Sequence, residues 1–267
     1  MTISSFFYLY KDFPLPGWYP IWIKRNLYNM KIACVALMFI FSLTSLQAKN
    51  TSVLVVAGGH SFDTLAFLEM FDRFEGVDYD FMLQPDANRL FVCNQAEGYD
   101  VLVFYDMWKE IDEDAREAYL EMSRAGKPML FMHHALVSYQ TWTEFEKIIG
   151  GRYVQPPKEA AVPESALSTY KHDVWIDMNV VDPAHPVTAG MKDFRLFDEV
   201  YGNYRVGDRV KPLLLTNHPE STKTIAWENR YNNSKIVYIQ PGHDNHAFAD
   251  ENYQQLIFQA IRYLAGN

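Results

Sequence analysis

Polar side chains, most of them histidines, follow four short apolar runs of this 267-residue chain. The four groups are Gly58, Gly59 and His60; Asp106 and Trp108; His133 and His134; and His243, Asp244 and His246. Imidazoles exchange protons near neutral pH and also ligate metals, so such a set suits general acid–base chemistry. The set is useful only if the fold brings its members together.

The apolar runs themselves are typical of strands buried on both faces of a parallel sheet. They cover 53–57, 79–83, 100–105, 129–132 and 235–239. Amphipathic helical patterns alternate with them; the clearest begins at the N-cap Asp112 and ends at Gly126. The alternation predicts βαβ units, and hence an α/β fold with a mainly parallel central sheet. Ligands of such sheets bind beyond the carboxyl ends of the strands, where the four polar groups fall.

Residues 150–224 break this pattern with several prolines, and Val174, Ile176 and Met178 alternate with polar positions. We expect an irregular, antiparallel insertion around one end of the sheet. Within it, Glu199 is the strongest carboxylate candidate, because a carboxylate among imidazoles and aromatics such as Tyr201 can act as an acid or a base. The alternative is that the acidic pair forms a solvated turn.

Other readings of the motifs stay open. The glycines at 58 and 59 form either a simple turn or a site whose N–H groups bind an oxyanion, and no dinucleotide fingerprint follows them. His133 stands where a hydrolase would carry Ser or Cys, at a sharp turn expected to lead into a helix from about Ala135. The spacing of His243 and His246 resembles that of metal ligands, so a divalent ion there is an alternative, although we predict no cofactor.

Composition and the N-terminal region narrow the class of protein. A net charge of −9 excludes a basic nucleic-acid footprint, and two cysteines without paired spacing exclude a zinc ribbon. Residues 30–48 combine a short basic start, an apolar stretch of about ten residues and a small residue at Ala48, which predicts a signal peptide rather than a membrane span. Residues 1–29 are then an upstream extension or a mis-assigned start, and 49–267 form a single exported domain, expected in a bacterial periplasm.

Seven stretches together resemble the ThuA-like family, named for trehalose utilisation. They are 53–60 (VLVVAGGH), 99–106 (YDVLVFYD), 126–135 (GKPMLFMHHA), 150–153 (GGRY), 182–190 (DPAHPVTAG), 198–201 (DEVY) and 242–244 (GHD). The resemblance implies a flavodoxin-like three-layer α/β/α sandwich related to class I glutamine amidotransferases. His133 takes the place of the amidotransferase cysteine, so glutamine hydrolysis is not implied. The family is associated with the breakdown of disaccharides and oxidised (3-keto) glycosides.

The resulting prediction is an exported enzyme that acts on a glycoside or keto-glycoside by hydrolysis, elimination or isomerisation. The expected catalytic residues are His60, His133, Glu199 and His243. The expected substrate-binding residues are Gly58, Gly59, Asp106, Trp108, His134, Tyr201, Asp244 and His246. We expect a small carbohydrate as ligand, no nucleic acid and no membrane span after signal removal; the oligomeric state stays open. The competing prediction is a non-catalytic sugar-binding or accessory protein on the same scaffold.

Overall fold

The computed structural model describes residues 49–156 and 163–266. The predicted signal peptide 30–48 and the upstream segment 1–29 lie outside the described residues. The strands are β1 Thr51–Gly58, β2 Val77–Leu83, β3 Val101–Asp106, β4 Met129–Met132, β5 Gly151–Arg152, β6 Thr169–Val180, β7 Phe194–Gly202, β8 Arg205–Val206, β9 Lys211–Leu215, β10 Thr224–Tyr231 and β11 Ser234–Ile239. The helices are α1 Thr64–Asp72, α2 Asp86–Val92, α3 Glu113–Ala125, α4 Thr143–Ile149, α5 Asn245–Ala249 and α6 Glu251–Ala265. Across these described ranges, no helix is long and apolar enough to cross a bilayer.

Nine of these strands form one sheet in the order β2-β1-β3-β4-β11-β10-β9-β6-β7. The first five are parallel to one another, and the remaining four join by antiparallel pairing. The predicted α/β class with a parallel centre and antiparallel additions is therefore confirmed. The segment expected as an excursion around one end of the sheet supplies long strands that extend the sheet itself.

Each face of the sheet is covered by helices, which makes three layers. Side chains of β1 alternate between the faces: Val53 and Val55 pack with α1 and α6, whereas Leu54 and Val56 pack on the side of α2, α3 and α4. This alternation follows from the two-residue period of a strand. Continuous apolar runs are needed because both faces are buried.

Local signals account for the ends of the helices. The Asp112 side chain accepts a hydrogen bond from the Ala115 N–H at the start of α3, and Gly126 ends that helix with a φ of 85°. The prediction of an α-helix from about Ala135 is wrong. A 3₁₀ segment, His133–Val137, follows β4 instead. It stops near Tyr139, whose φ of 49° is incompatible with a continuing right-handed helix.

Candidate functional site

A cavity of about 250 Å³ opens at the carboxyl edge of the central strands. Imidazoles, phenol rings and one carboxylate dominate its wall. The lining residues are His60, Met107, His134, Val137, Tyr153, Gln155, Tyr170, His172, Glu199, Tyr201 and His243. Since the parallel strands β1, β3, β4 and β11 are neighbours, the loops that follow them meet at this edge, as expected from the sequence.

Three side chains form a close triangle at the inner end of the cavity. His133 Nε2 lies 3.0 Å from Glu199 Oε2, and His243 Nδ1 lies 3.1 Å from the same oxygen. The third edge, between His133 Nε2 and His243 Nδ1, is 3.1 Å. The side chain of His133 is 0% exposed and that of Glu199 is 5% exposed, whereas that of His243 is 24% exposed. His243 is therefore the member of the triangle most accessible from solvent.

Backbone contacts fix the His133 ring. His133 has a φ of 48° at the sharp turn after β4, which turns its side chain across the sheet edge. Its Nδ1 lies 2.8 Å from the backbone oxygen of Gln240, and its own backbone oxygen accepts a hydrogen bond from the Tyr238 hydroxyl at 2.9 Å. The Tyr201 hydroxyl lies 3.1 Å from Nε2, and the two rings stack. His133 itself does not line the cavity, and its Nε2 is turned towards Glu199 and His243, which do.

Hydrogen bonds between β7 and the residues that follow β11 hold Glu199 at the triangle. The buried carboxylate of Asp198 accepts hydrogen bonds from the N–H groups of Gly242 (2.6 Å) and His243 (2.9 Å). The Gln240 side chain donates to the backbone oxygen of Glu199 at 3.0 Å. The alternative of a solvated turn is therefore wrong, because both acidic residues lie in a strand and are buried.

The triangle favours charge separation. Burial opposes ionisation of Glu199, but hydrogen bonds from His133 and His243 outweigh it and hold the pKa of Glu199 well below its usual range. The hydrogen bond to Glu199 outweighs burial at His243 and raises the pKa of His243. Burial, with the neighbouring imidazoles His243 and His133, lowers the pKa of His60. The site therefore combines a carboxylate, a readily protonated imidazole and a readily neutral one.

Two further imidazoles border the triangle. His172 Nε2 lies 3.3 Å from Glu199 Oε1, and its ring centroid is 4.5 Å from that of His243. His134 Nε2 lies 3.2 Å from the Tyr105 backbone oxygen, and burial lowers the pKa of His134 well below its usual value. Its buried Nδ1 has no hydrogen-bond partner among the described residues. A neutral His134 that donates from Nε2 therefore presents an unused acceptor at Nδ1.

Asp106 and Trp108 do not line this cavity, which corrects two of the expected binding residues. Asp106 ends β3 on the face that carries Phe104, because side chains two residues apart in a strand point the same way. There Gln84 donates to its carboxylate at 3.3 Å. Trp108 lines a different cavity, beside Asn88.

Asp244 and His246 also lie apart from the triangle. The Asp244 carboxylate caps α5 by accepting from the His246 N–H, and it also lies 3.1 Å from His246 Nδ1. His246 is exposed and packs against Phe197. The metal alternative at 243–246 does not fit this arrangement, because the ring of His243 turns away to Glu199.

The two glycines shape the first loop but do not line the cavity. Gly58 accepts a hydrogen bond from the Met107 N–H at 2.7 Å. Gly59 has a φ of 81°, and a Cβ there would lie 2.2 Å from the Met107 backbone oxygen. They allow the β1 and β3 loops to approach each other closely, which brings Met107 into the cavity wall.

Sequence reasoning missed six lining residues: Met107, Val137, Tyr153, Gln155, Tyr170 and His172. His172 belongs to β6, inside the insertion, where the rule about strand ends does not apply. Tyr153 lies in one of the family stretches, and that was the available signal for it. Nothing in the local sequence marks Gln155 or Tyr170 as cavity residues.

Comparisons with known proteins agree with this architecture. A family model described as trehalose utilisation, ThuA, matches residues 52–264. A ThuA-like protein from Parabacteroides merdae is similar in structure, with 18% identity, a TM-score of 0.66 and coverage of 81% of this chain and 90% of that one. One from Bacteroides uniformis has 17% identity, a TM-score of 0.63 and coverage of 83% and 94%.

A glutamine amidotransferase from Thermotoga maritima is more distant, with 10% identity and a TM-score of 0.47 over 82% of this chain and 99% of that one. A search of curated protein sequences found no match. At such identities the two ThuA-like structures show a shared fold.

Proposed function

Because this chain belongs to the ThuA family of trehalose utilisation, we propose that it is an exported enzyme that acts on a glycoside or keto-glycoside. The observation that carries the proposal is the convergence of His133, Glu199 and His243 within 3.1 Å of one another. These groups come from three distant parts of the chain. Glu199 and His243 line the cavity, and the fully buried His133 contacts both of them. Paired imidazole and carboxylate groups in such a place are suited to general acid–base catalysis.

The size and lining of the cavity suit a carbohydrate. Its volume of about 250 Å³ lies below the roughly 300–1,000 Å³ typical of sites for drug-sized molecules. It suits one sugar ring, with the remainder of the glycoside extending into solvent. Tyr153, Tyr170 and Tyr201 offer flat apolar surfaces for a sugar ring.

The carboxylate content of the site favours chemistry next to a carbonyl over direct hydrolysis. Most glycoside hydrolases place two carboxyl groups on either side of the bond that they break. Among the described residues that line this cavity, only Glu199 carries a carboxylate. A keto-sugar does not need two carboxyl groups, because its carbonyl acidifies the neighbouring C–H bond and an imidazole can then remove the proton.

The reaction that fits is an elimination. When no metal ion is bound, His243 takes a proton from the sugar carbon that lies between the carbonyl carbon and the glycosidic carbon. The electron pair of that C–H bond forms a C=C bond, and the glycosidic C–O bond breaks. The protonated His243 then passes this proton to the leaving oxygen. Glu199 stabilises the positive charge that develops on His243.

Export is part of the proposal and is supported by the signal pattern at 30–48. Residues 49–267 contain a single cysteine, Cys93, so the domain needs no internal disulfide in an oxidising compartment.

The test is to incubate the purified protein with plain and 3-keto disaccharides and to follow the products by mass spectrometry. We expect turnover of the keto form, with loss of turnover in His243→Ala. The matched control is His246→Ala, which removes an exposed imidazole outside the cavity and leaves turnover unchanged. Saturable binding of the sugars with no turnover would contradict the proposal and identify a sugar-binding protein instead.

A further inference from the structure

We infer that His133, Glu199 and His243 form a binding site for one divalent transition-metal ion, with an open coordination position that faces the cavity. The inference rests on the proposed function in one respect, since the ion would act on the carbohydrate bound there. The two are nevertheless separable by experiment, because metal binding can be measured without any sugar.

Protons alone do not satisfy all three edges of the triangle. An edge of 3.0 or 3.1 Å is a favourable hydrogen bond only when one hydrogen lies on it. When both imidazoles donate to Glu199 Oε2, two N–H donors lie 3.1 Å apart with no hydrogen bond between them. A cation at the centre removes the conflict, because all three atoms then act as electron-pair donors.

The dimensions of the triangle suit such an ion. Zinc lies about 2.0–2.2 Å from imidazole nitrogens and carboxylate oxygens. With edges of 3.0 to 3.1 Å, an ion at those distances would sit roughly 1 Å out of the plane of the three ligand atoms. Two imidazoles and one carboxylate, with a fourth position for water or substrate, are the ligand set of many catalytic zinc sites.

The surroundings already orient the ligands. Because Gln240 offers only a carbonyl oxygen to His133 Nδ1, the hydrogen of the neutral ring must lie on Nδ1 and the lone pair on Nε2. Metal-bound histidines usually donate their second ring N–H to such a partner. Asp198 holds the backbone N–H of His243, which fixes where that side chain starts.

The open position points to the outer imidazoles. His172 Nε2 contacts the second oxygen of Glu199 but lies outside the group of three ligand atoms, so it would be a partner of a metal-bound water and not a ligand. An ion here would polarise a carbonyl or hydroxyl oxygen of the sugar and lower the pKa of bound water. In the metal-bound form, the hydroxide produced when that water ionises would accept the proton, and His243 would serve as a ligand.

The direct test is metal binding to the full chain, stripped with a chelator and titrated with Zn²⁺ by calorimetry and with Co²⁺ by visible absorption. We expect one ion per chain and a Co²⁺ spectrum of low coordination number. His243→Ala and the near-isosteric Glu199→Gln should each weaken binding by more than about 10-fold, the lower end of the loss seen when partners outside the ligand shell are changed. His246→Ala should bind as the parent does.

Each outcome separates the two proposals. Binding of one ion without any turnover of sugars would support the metal site and contradict the proposed reaction. Turnover by protein that binds no Zn²⁺ or Co²⁺ would overturn the metal site and leave the reaction standing. Metal binding that is unchanged in both His243→Ala and Glu199→Gln would also overturn the site, because the ion would then be held elsewhere.

Discussion

The Nδ1 atom of His133 lies 2.8 Å from the backbone carbonyl oxygen of Gln240. A carbonyl oxygen only accepts hydrogen bonds, so this contact assigns the hydrogen of the neutral ring to Nδ1 and leaves the lone pair of Nε2 free for a cation. The contact joins the residue after β4 to the residue after β11, its parallel neighbour. The chemistry of the site thus depends directly on the pairing of two central strands.

The Tyr201 hydroxyl supports the same ring. In Tyr201→Phe, the stacking on His133 remains and the 3.1 Å contact to Nε2 is lost. We predict a fall in kcat of about 2- to 12-fold, since one hydrogen bond contributes about 0.5–1.5 kcal/mol. Steady-state kinetics on the substrate identified above measures it. Tyr204→Phe is the matched control: its buried hydroxyl donates to the Thr224 backbone oxygen away from the cavity. It should lower stability and leave kcat unchanged.

The hydrogen bonds of Asp198 connect β7 to the loop after β11, and their contribution to the stability of the fold can be measured. Asparagine keeps one acceptor oxygen but places an amide NH₂ against a backbone N–H of Gly242 or His243. We predict that Asp198→Asn lowers the free energy of unfolding by about 1–3 kcal/mol, the cost of an unsatisfied buried donor. Urea denaturation measures this loss.

The control for that variant is Asp182→Asn, at an exposed carboxylate that also accepts from a backbone N–H, that of Ala184. We expect a smaller loss there, because water replaces the lost contacts. Equal losses in the two variants would contradict the structural role assigned to Asp198.

The close approach of Gly59 to the Met107 backbone predicts a steric effect. In Gly59→Ala, the new Cβ would lie 2.2 Å from the Met107 backbone oxygen, and the φ of 81° is also unfavourable for alanine. Gly190 has a similar φ of 71° but nothing within 4 Å of an added Cβ. Gly190→Ala should therefore lower the free energy of unfolding by only about 1–2 kcal/mol, the cost of a positive φ for a residue with a Cβ. Gly59→Ala should lower it by clearly more, because its Cβ also clashes. Thermal or urea unfolding of both variants measures the difference.

Asp106 gives the protein a pH-dependent stability. Burial raises the pKa of Asp106 from 3.8 to about 7, although the Gln84 hydrogen bond acts in the opposite direction. A carboxyl group whose pKa is higher in the folded state stabilises the fold below its unfolded pKa. That contribution is lost as the pH rises towards 7. Asp106→Asn keeps the shape and cannot ionise.

We therefore predict that Asp106→Asn gains stability relative to the parent between pH 4 and pH 8, by up to about 4 kcal/mol at 1.36 kcal/mol per pKa unit. Unfolding in urea across this pH range measures it. A difference between the two proteins that does not change with pH would show that Asp106 ionises normally.

Much of the site could be predicted from the sequence by one rule: ligands of a parallel sheet bind beyond the carboxyl ends of its strands. His60, His133 and His243 each follow a buried parallel strand, and parallel pairing alone brings the carboxyl ends of such strands to one edge. The same rule failed at Asp106, because it says where a strand ends and not which face its last side chain takes. It failed at His246, because the intervening start of α5 turns that ring outward.

The position of His172 could not be predicted from the ends of the strands. It lies in β6, where the pairing with β7 shifts register between Lys171 and Val174, next to a φ of 59° at Asp173. Such an irregularity changes which residues face the partner strand. The approach of His172 to Glu199 therefore depends on how β6 pairs with β7, and the local sequence pattern does not indicate it.

The most direct test of the central claim compares two buried His–Glu pairs in the same protein. Glu199→Gln removes the charge at the triangle. Glu228→Gln removes it from the pair with His185, where the Nε2 to Oε2 distance is also 3.1 Å but no cavity residue is involved. Turnover of the keto-disaccharide should fall by at least about 100-fold in Glu199→Gln and stay near the parent value in Glu228→Gln, with both variants folded by circular dichroism. Equal turnover in the two folded variants would place the chemistry outside the triangle.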